Sequence, residues 1–271
     1  MLRVPECHGL AASAAWRAIL GRFSTAGLAE IADTAVASRN DTKFVLRAEE
    51  LRDVLAELDQ DYLVLDIDGT RFTRYRTQYF DTESFALFRR HHVGGSKRCK
   101  VRTRHYGNTG LSFLEVKCKT KTGATTKVRV PTTRFETETL HDYADFLEAH
   151  CPYPVAALSP ALRNGFDRIT LINAARHERL TIDLDLTIEE QAGNGIDLPR
   201  IAVAELKQER LVPGWRESEF LSAMRRIGVR RTGFSKYCIG LLLSRPGIKH
   251  NLFKPQLMKL RRLMGETNAV A

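Results

Sequence analysis

Two consecutive segments of this chain read as β-strands whose polar faces are almost entirely charged. The first runs Lys97-Arg98-Cys99-Lys100-Val101-Arg102-Thr103-Arg104-His105-Tyr106 and the second Phe113-Leu114-Glu115-Val116-Lys117-Cys118-Lys119. Side chains of a strand alternate between its two faces. Arg98, Lys100, Arg102 and Arg104 therefore share a face, with Cys99, Val101 and Thr103 pointing the other way. Glu115, Lys117 and Lys119 likewise stand opposite Leu114, Val116 and Cys118. Neighbours on such a face lie roughly 6.6 Å apart, twice the strand rise. Four cations in a row repel one another unless something anionic neutralises them, so a polyanion is the expected occupant.

The whole chain leans the same way. Lys and Arg number 42 against 32 Asp and Glu, a formal charge of +10 over 271 residues, which suits nucleic acid, an acidic membrane or a phosphate-rich ligand. That length buries a large core, as one β-rich domain or two small ones. Five cysteines (Cys7, Cys99, Cys118, Cys151 and Cys238) are odd in number and lack CxxC spacing. This argues against a disulfide framework or a zinc site and favours a reducing, cytoplasmic setting. No apolar run approaches the roughly 18 residues of a membrane span.

Residues 1–38 read as a loosely attached helical extension: Leu10 to Leu20 is fairly apolar, but Arg17 interrupts it and no convincing cleavage site follows. The main domain is expected over 39–250, with a basic helix and tail over 251–271. Residues 39–46 look like a strand leading into an amphipathic helix over 47–60, where Leu51, Val54, Leu55 and Leu58 repeat at helical spacing. A strand over 74–80 ends at Asp81-Thr82, a plausible cap for a short helix holding Phe85, Leu87 and Phe88. Gly107-Asn108-Thr109-Gly110 is a hairpin signal between the two charged strands. Further strands are expected at 125–130, 155–159, 166–173, 178–188 and 201–207, and helices at 137–149, 216–227, 235–244 and 252–264. His91-His92 reads as a helix end rather than a metal site.

About eight strands carry alternating patterns, and amphipathic helices stand between them. The helices need apolar surface to cover, and the apolar strand faces supply it. The expected fold is therefore α+β: a closed antiparallel barrel of about eight strands, with a charged lumen and helices packed outside. Inside such a lumen Glu115, Glu205, Asp183 and Asp185 either balance neighbouring cations, with Asp183 and Asp185 as partners of Arg179, or hold a divalent metal that bridges phosphate oxygens.

Seven spaced motifs carry a family resemblance: Thr42-Lys43-Phe44, Thr77 to Thr82, Lys100 to Gly107, Phe113 to Lys117, Arg179 to Asp183, Ala204-Glu205-Leu206-Lys207 and Phe234-Ser235-Lys236-Tyr237. In this order they resemble the VTC domain, the polyphosphate polymerase branch of the triphosphate tunnel metalloenzymes (the CYTH-like superfamily). The resemblance implies an eight-stranded tunnel in which the ATP γ-phosphoryl group is moved onto a growing polyphosphate chain with Mn²⁺ or Mg²⁺. It implies that Lys43, Arg102, Arg104, Lys117, Lys127, Arg168 and Lys236 are the tunnel cations on the reacting phosphates. Lys100, Ser235, Lys119, Arg98, Arg179 and Lys207 would bind substrate around them. Glu205 would be the metal ligand and Glu115 a second carboxylate near it. ATP and inorganic polyphosphate are the expected partners, and export of product would need a separate membrane partner.

Two other readings compete. A triphosphatase would use the same tunnel with water as acceptor. A binding module for nucleic acid or polyphosphate is the third; base stacking would require aromatics interleaved with the cations, and the Arg98 to Arg104 face has none before Tyr106. Nucleic acid is therefore not expected. Arg225-Arg226, Arg230-Arg231, Lys254, Lys259, Arg261 and Arg262 read either as solvated surface charge or as a basic track outside the tunnel, which a polymerase would use.

Overall fold

The computed structural model describes residues 9–33, 39–94, 98–120, 125–189, 195–209, 218–245 and 247–265. Lys97, residues 216 and 217 of the expected helix and the tail beyond 265 lie outside them. The strands are β1 (Thr25–Ala26), β2 (Arg39–Arg47), β3 (Leu63–Leu65), β4 (Thr73–Asp81), β5 (Arg98–Tyr106), β6 (Ser112–Lys119), β7 (Thr125–Pro131), β8 (Ser159–Asn173), β9 (Glu178–Glu189), β10 (Gly195–Leu198) and β11 (Ile201–Glu209). The helices are α1 (Ala14–Gly21), α2 (Leu28–Asp33), α3 (Ala48–Leu55), α4 (Ala86–His92), α5 (Ala144–His150), α6 (Glu219–Arg226), α7 (Lys236–Ser244) and α8 (Lys254–Met264).

Eight strands form one antiparallel path, β2-β11-β9-β8-β4-β5-β6-β7. The expected alternation holds along most of it. Phe44, Leu46, Leu180, Ile182, Ala202, Ala204 and Leu206 face a core built with α1, α3 and α6. Phe80, Val101, Leu114 and Val116 face a second core on the same side. The residues between them in sequence face the concave side. α4 ends at His92 and is capped as expected: the Asp81 carboxylate accepts from the Leu87 and Phe88 amides at 2.8 and 2.9 Å, and Thr82 Oγ1 from Ala86 at 2.9 Å.

The structure corrects the sequence reading at several points. Among the described residues the sheet does not close into a barrel: β2 pairs only with β11, β7 only with β6, and the two edges face each other unpaired. Lys43 on one edge and Lys127 on the other bring like charges to that seam, and β7 exposes side chains on both its faces.

The helices do not all pack outside. α7 lies against the concave face, where Tyr237, Ile239 and Leu241 join Val45, Phe166, Leu186, Ile201 and Val203 in a third core. Gly240 permits the approach, since a Cβ there would stand 2.5 Å from Leu162 Cδ2. That core fills one stretch of the concave side and leaves the rest open.

Alternation fails at Asp185, which has φ of 52° at a register shift opposite Gly165 to Asp167. A bulge adds one residue and re-aims its side chain. The Asp185 carboxylate consequently leaves the Asp183 face and accepts from the Leu10 and Ala11 amides at 2.9 and 3.1 Å. Asp185 is thus a tether for the N-terminal segment and has no place in the lumen.

Residues 10–23 of that extension are docked, not loose. Ser13 caps α1, and Ala11, Trp16, Leu20 and Phe23 are buried in the core with α3. Cys99 and Cys118 form a disulfide, against the expectation from cysteine count; they are directly paired across β5 and β6. Residues 155–157 are a 3₁₀ turn rather than a strand, and β8 runs from Ser159 without a break. Among the described residues no helix is long and apolar enough to cross a membrane.

Trp16→Ala should lower stability by about 3–5 kcal/mol, the usual loss for truncating a buried indole, read from urea unfolding. An unchanged midpoint would show that α1 does not belong to the core.

Candidate functional site

Along β5 the concave face carries Lys100, Arg102 and Arg104, and along β6 Glu115 and Lys117. β7 adds Lys127, β2 Lys43, β11 Glu205 and Lys207, β9 Arg179 and Asp183, and β8 Arg168. Ser235 and Lys236 arrive from the start of α7: Ser235 caps that helix by accepting from the Cys238 amide at 3.2 Å and also accepts from Lys100 Nζ at 2.9 Å. These side chains surround a cavity of about 410 Å³ whose wall holds ten cationic side chains and two carboxylates, Asp183 and Glu205.

All seven residues expected to contact the reacting phosphates (Lys43, Arg102, Arg104, Lys117, Lys127, Arg168 and Lys236) line this cavity. So do Lys100, Ser235, Arg179 and Lys207. Arg98 and Lys119 do not; they line an adjoining cavity of about 650 Å³ together with Asp41, Thr42, His91, Thr125 and Arg231.

Three carboxylates hold the cations in place. Asp183 takes Arg168 through two bonds, Nε to Oδ1 at 2.6 Å and Nη2 to Oδ2 at 2.8 Å, and takes Lys236 as well. Burial would raise the Asp183 pKa, but Arg168 and Lys236 hold it far below the usual carboxylate range. Glu115 accepts from Arg102 Nε and Nη2 at 2.8 and 2.7 Å on Oε2, and Lys127 Nζ stands 2.6 Å from Oε1. Against burial, Arg102, Arg104 and Lys127 bring its pKa down to about 2. Glu205 pairs with Lys43, and Lys207 Nζ lies 3.7 Å from its Oε2. Burial again opposes ionisation, and Lys207 and Lys43 overcome it, leaving Glu205 at about 2.

Aromatic rings complete the support. The Arg168 guanidinium lies 5.0 Å from the Tyr75 ring centre and 5.2 Å from that of Phe166, and Lys236 Nζ lies 4.2 Å from Phe166. Such contacts favour a desolvated cation by about 0.5–2 kcal/mol. Burial still pushes the Lys236 ammonium down, against Asp183.

Sequence reasoning offered Arg179 as the partner of Asp183 and missed Arg168 in that role. The signal was register: Arg168 stands opposite Asp183 in the β8–β9 pairing. It also gave Glu115 to metal. Glu115 has no exposed surface and does not line the cavity; its oxygens are occupied by Arg102 and Lys127, so it acts as a buried ion-pair hub.

Among the described residues no group of three or more His, Cys, Asp or Glu gathers into a protein-only metal site. Glu205 does face the cavity. A single hard carboxylate fits the way Mg²⁺ or Mn²⁺ is held when phosphate oxygens and water supply the other ligands.

The arrangement thus preorganises fork-shaped and point-charge donors around a space for a chain of phosphates. The VTC domain profile matches residues 38–245. No curated protein matches the chain. Among solved structures, a putative adenylate cyclase from Bacillus halodurans is 13% identical with a TM-score of 0.45, over 73% of this chain and 94% of that one. A Pyrococcus horikoshii OT3 protein is 12% identical with a TM-score of 0.43, over 78% and 99%. A putative adenylyl cyclase from Hippeastrum, described as having a dominant triphosphatase activity, is 12% identical with a TM-score of 0.40, over 74% and 95%. Likeness at these scores carries no argument about activity.

Glu115→Ala should cost about 3–5 kcal/mol, because it strands the buried Arg102 charge; thermal unfolding checks it, and a loss under about 1 kcal/mol would contradict the hub role. A pH effect follows from Lys207, which burial lowers to about 8 despite the Glu205 charge. A bound polyanion favours the ammonium form, so affinity for tripolyphosphate should be full below pH 8 and fall as pH rises through it. Lys207→Arg should move that fall to higher pH in calorimetric titrations.

Proposed function

The chain belongs to the VTC domain family, and from that premise we propose that it is a metal-dependent polyphosphate polymerase, transferring the ATP γ-phosphoryl group to the end of an inorganic polyphosphate chain. The observation that carries the reading is the concave face itself. Its cations form a continuous row from Lys100 to Arg104 along one wall, met by Lys43, Arg168, Lys207 and Lys236 from the other. That suits a linear polyanion better than a compact ligand.

Phosphoryl transfer asks a protein for positioning and charge stabilisation more than for covalent chemistry. Arg102, Arg104 and Arg168 present planar donor pairs to phosphate oxygens, and Lys43, Lys117 and Lys236 supply point charges. An oxygen of the terminal polymer phosphate attacks the γ-phosphorus. The bond from the γ-phosphorus to the β–γ bridging oxygen breaks, and ADP leaves with that oxygen. The acceptor oxygen is already ionised, so the step needs no general base. Glu205 would hold the divalent ion together with phosphate oxygens, and the ion would supply charge neutralisation at the β- and γ-phosphates. Lys43 pairs with the same carboxylate and would turn to the phosphates when that ion binds.

Incubation with ATP, Mn²⁺ and a short polyphosphate primer tests the reading, with polymer resolved on a gel and free phosphate counted separately. The expected result is a ladder with matching ADP. Free phosphate without polymer would overturn the polymerase assignment in favour of a triphosphatase. Glu205→Gln should lower turnover at least about a hundredfold at a temperature where circular dichroism shows the variant still folded, in keeping with loss of charge stabilisation at the reacting group.

A further inference from the structure

The excess positive charge of the chain is concentrated in one stretch. From Phe220 to Gly265 the sequence holds eleven Lys and Arg and no Asp or Glu. With +10 for the whole chain, the other 225 residues together carry one net negative charge. A solvated surface helix ordinarily mixes both signs, because opposite charges three or four residues apart attract. Some of the eleven have work elsewhere: Lys236 lines the inner cavity, Arg231 the adjoining one, and Arg226 pairs with Glu57 of α3.

α8 has no such employment for its cations. It buries Leu257 and Leu260 in the third core. Away from that core it exposes Lys254, Met258, Arg261 and Arg262. Met258 stands four residues from Lys254 and Arg262 and three from Arg261, so the four share one face. Met258 is 52% exposed, and Leu252, in the 3₁₀ turn that leads into the helix, 58%. Among the described residues no carboxylate pairs with Lys254, Arg261 or Arg262. At the flank, Lys259 Nζ donates to the Arg230 carbonyl at 3.4 Å, which sets the exposed Arg230 beside the helix.

The mixture of side chains selects the partner. A phosphate chain offers nothing to an exposed Met or Leu. Nucleic acid would ask for exposed rings on which bases stack. The ring at this end, Phe253, is turned inward against Phe88 and His92, with ring centres 6.0 and 6.3 Å away. An anionic bilayer takes both kinds of side chain: its headgroups attract Lys and Arg, and the boundary with the acyl chains accepts Met and Leu. We propose that the exposed face of α8 is a membrane-docking surface, which holds the folded chain reversibly on a bilayer containing anionic lipid. This attachment needs no spanning helix, and it does not depend on which reaction the inner cavity performs.

Flotation of the full chain with vesicles tests it. Wild type should float with phosphatidylcholine vesicles that contain phosphatidylglycerol and stay behind with phosphatidylcholine alone. Lys254→Ala/Arg261→Ala/Arg262→Ala should weaken binding to the anionic vesicles about tenfold or more, and Lys254→Arg/Arg261→Lys/Arg262→Lys should restore it. Leu252→Asn/Met258→Asn keeps every charge and should still weaken binding about threefold or more, since neither side chain then enters the acyl boundary. Equal binding to the two kinds of vesicle, or an alanine variant that floats like wild type, would overturn the proposal. Undiminished flotation of the asparagine variant, or release of wild type by single-stranded DNA of matched charge, would show a general anion surface and overturn the assignment to lipid.

Discussion

Asp183 lies between Arg168 and Lys236 with almost no exposure, and the concave face of the sheet depends on it and on its two counterparts, Glu115 and Glu205. Ten cations around one cavity would force the strands apart by mutual repulsion if nothing answered them. Each carboxylate answers two cations from different elements: Asp183 joins β8 to α7, Glu115 joins β5 to β7, and Glu205 draws Lys43 from β2 beside Lys207 of its own strand. Six of the ten cations are therefore held in place by carboxylates before any ligand arrives, and a polyanion meets donors that need little reorganisation.

The rest of the architecture serves that arrangement. The convex face is covered by α1, α3, α5 and α6, which lets the concave face stay polar. α7 closes one stretch of the concave side with an apolar core and delivers Ser235 and Lys236 at its first turn. Tyr237, one residue on, bonds the Asp81 carboxylate that also caps α4, so the position of Lys236 is tied to the end of β4. At the other side the sheet stops short of closing, with Lys43 and Lys127 of the two edge strands held by Glu205 and Glu115.

Much of this was legible in the sequence because it is local. Strand alternation placed the Arg98 to Arg104 face, the Asp81-Thr82 cap announced α4, and the turn at 107–110 set the hairpin. That same hairpin register puts Cys99 opposite Cys118, so the disulfide was readable from pairing although cysteine counting argued against it. What could not be read depends on distant partners. Closure requires β2 to meet β7, some eighty residues away, and no local pattern encodes whether two edges attract. The bulge at Asp185 looks like ordinary alternation until Gly165 to Asp167 is laid beside it. The docking of α1 was hidden by an Ala- and Ser-rich composition, although Trp16, Leu20 and Phe23 fall at helical spacing. In the site, Glu115 and Glu205 share a Glu-x-Lys pattern but not a role, because only the fold decides which of them faces the cavity.

The most direct test of the account is thermal unfolding in EDTA with tripolyphosphate and with orthophosphate, at matched ionic strength. A ligand that binds only the folded chain raises the melting temperature with concentration. The account predicts a saturating rise with tripolyphosphate, little with orthophosphate at equal total charge, and loss of the difference in Arg168→Ala. Equal shifts from both anions, or a difference that survives Arg168→Ala, would contradict the claim that the concave face is built for a linear chain of phosphates.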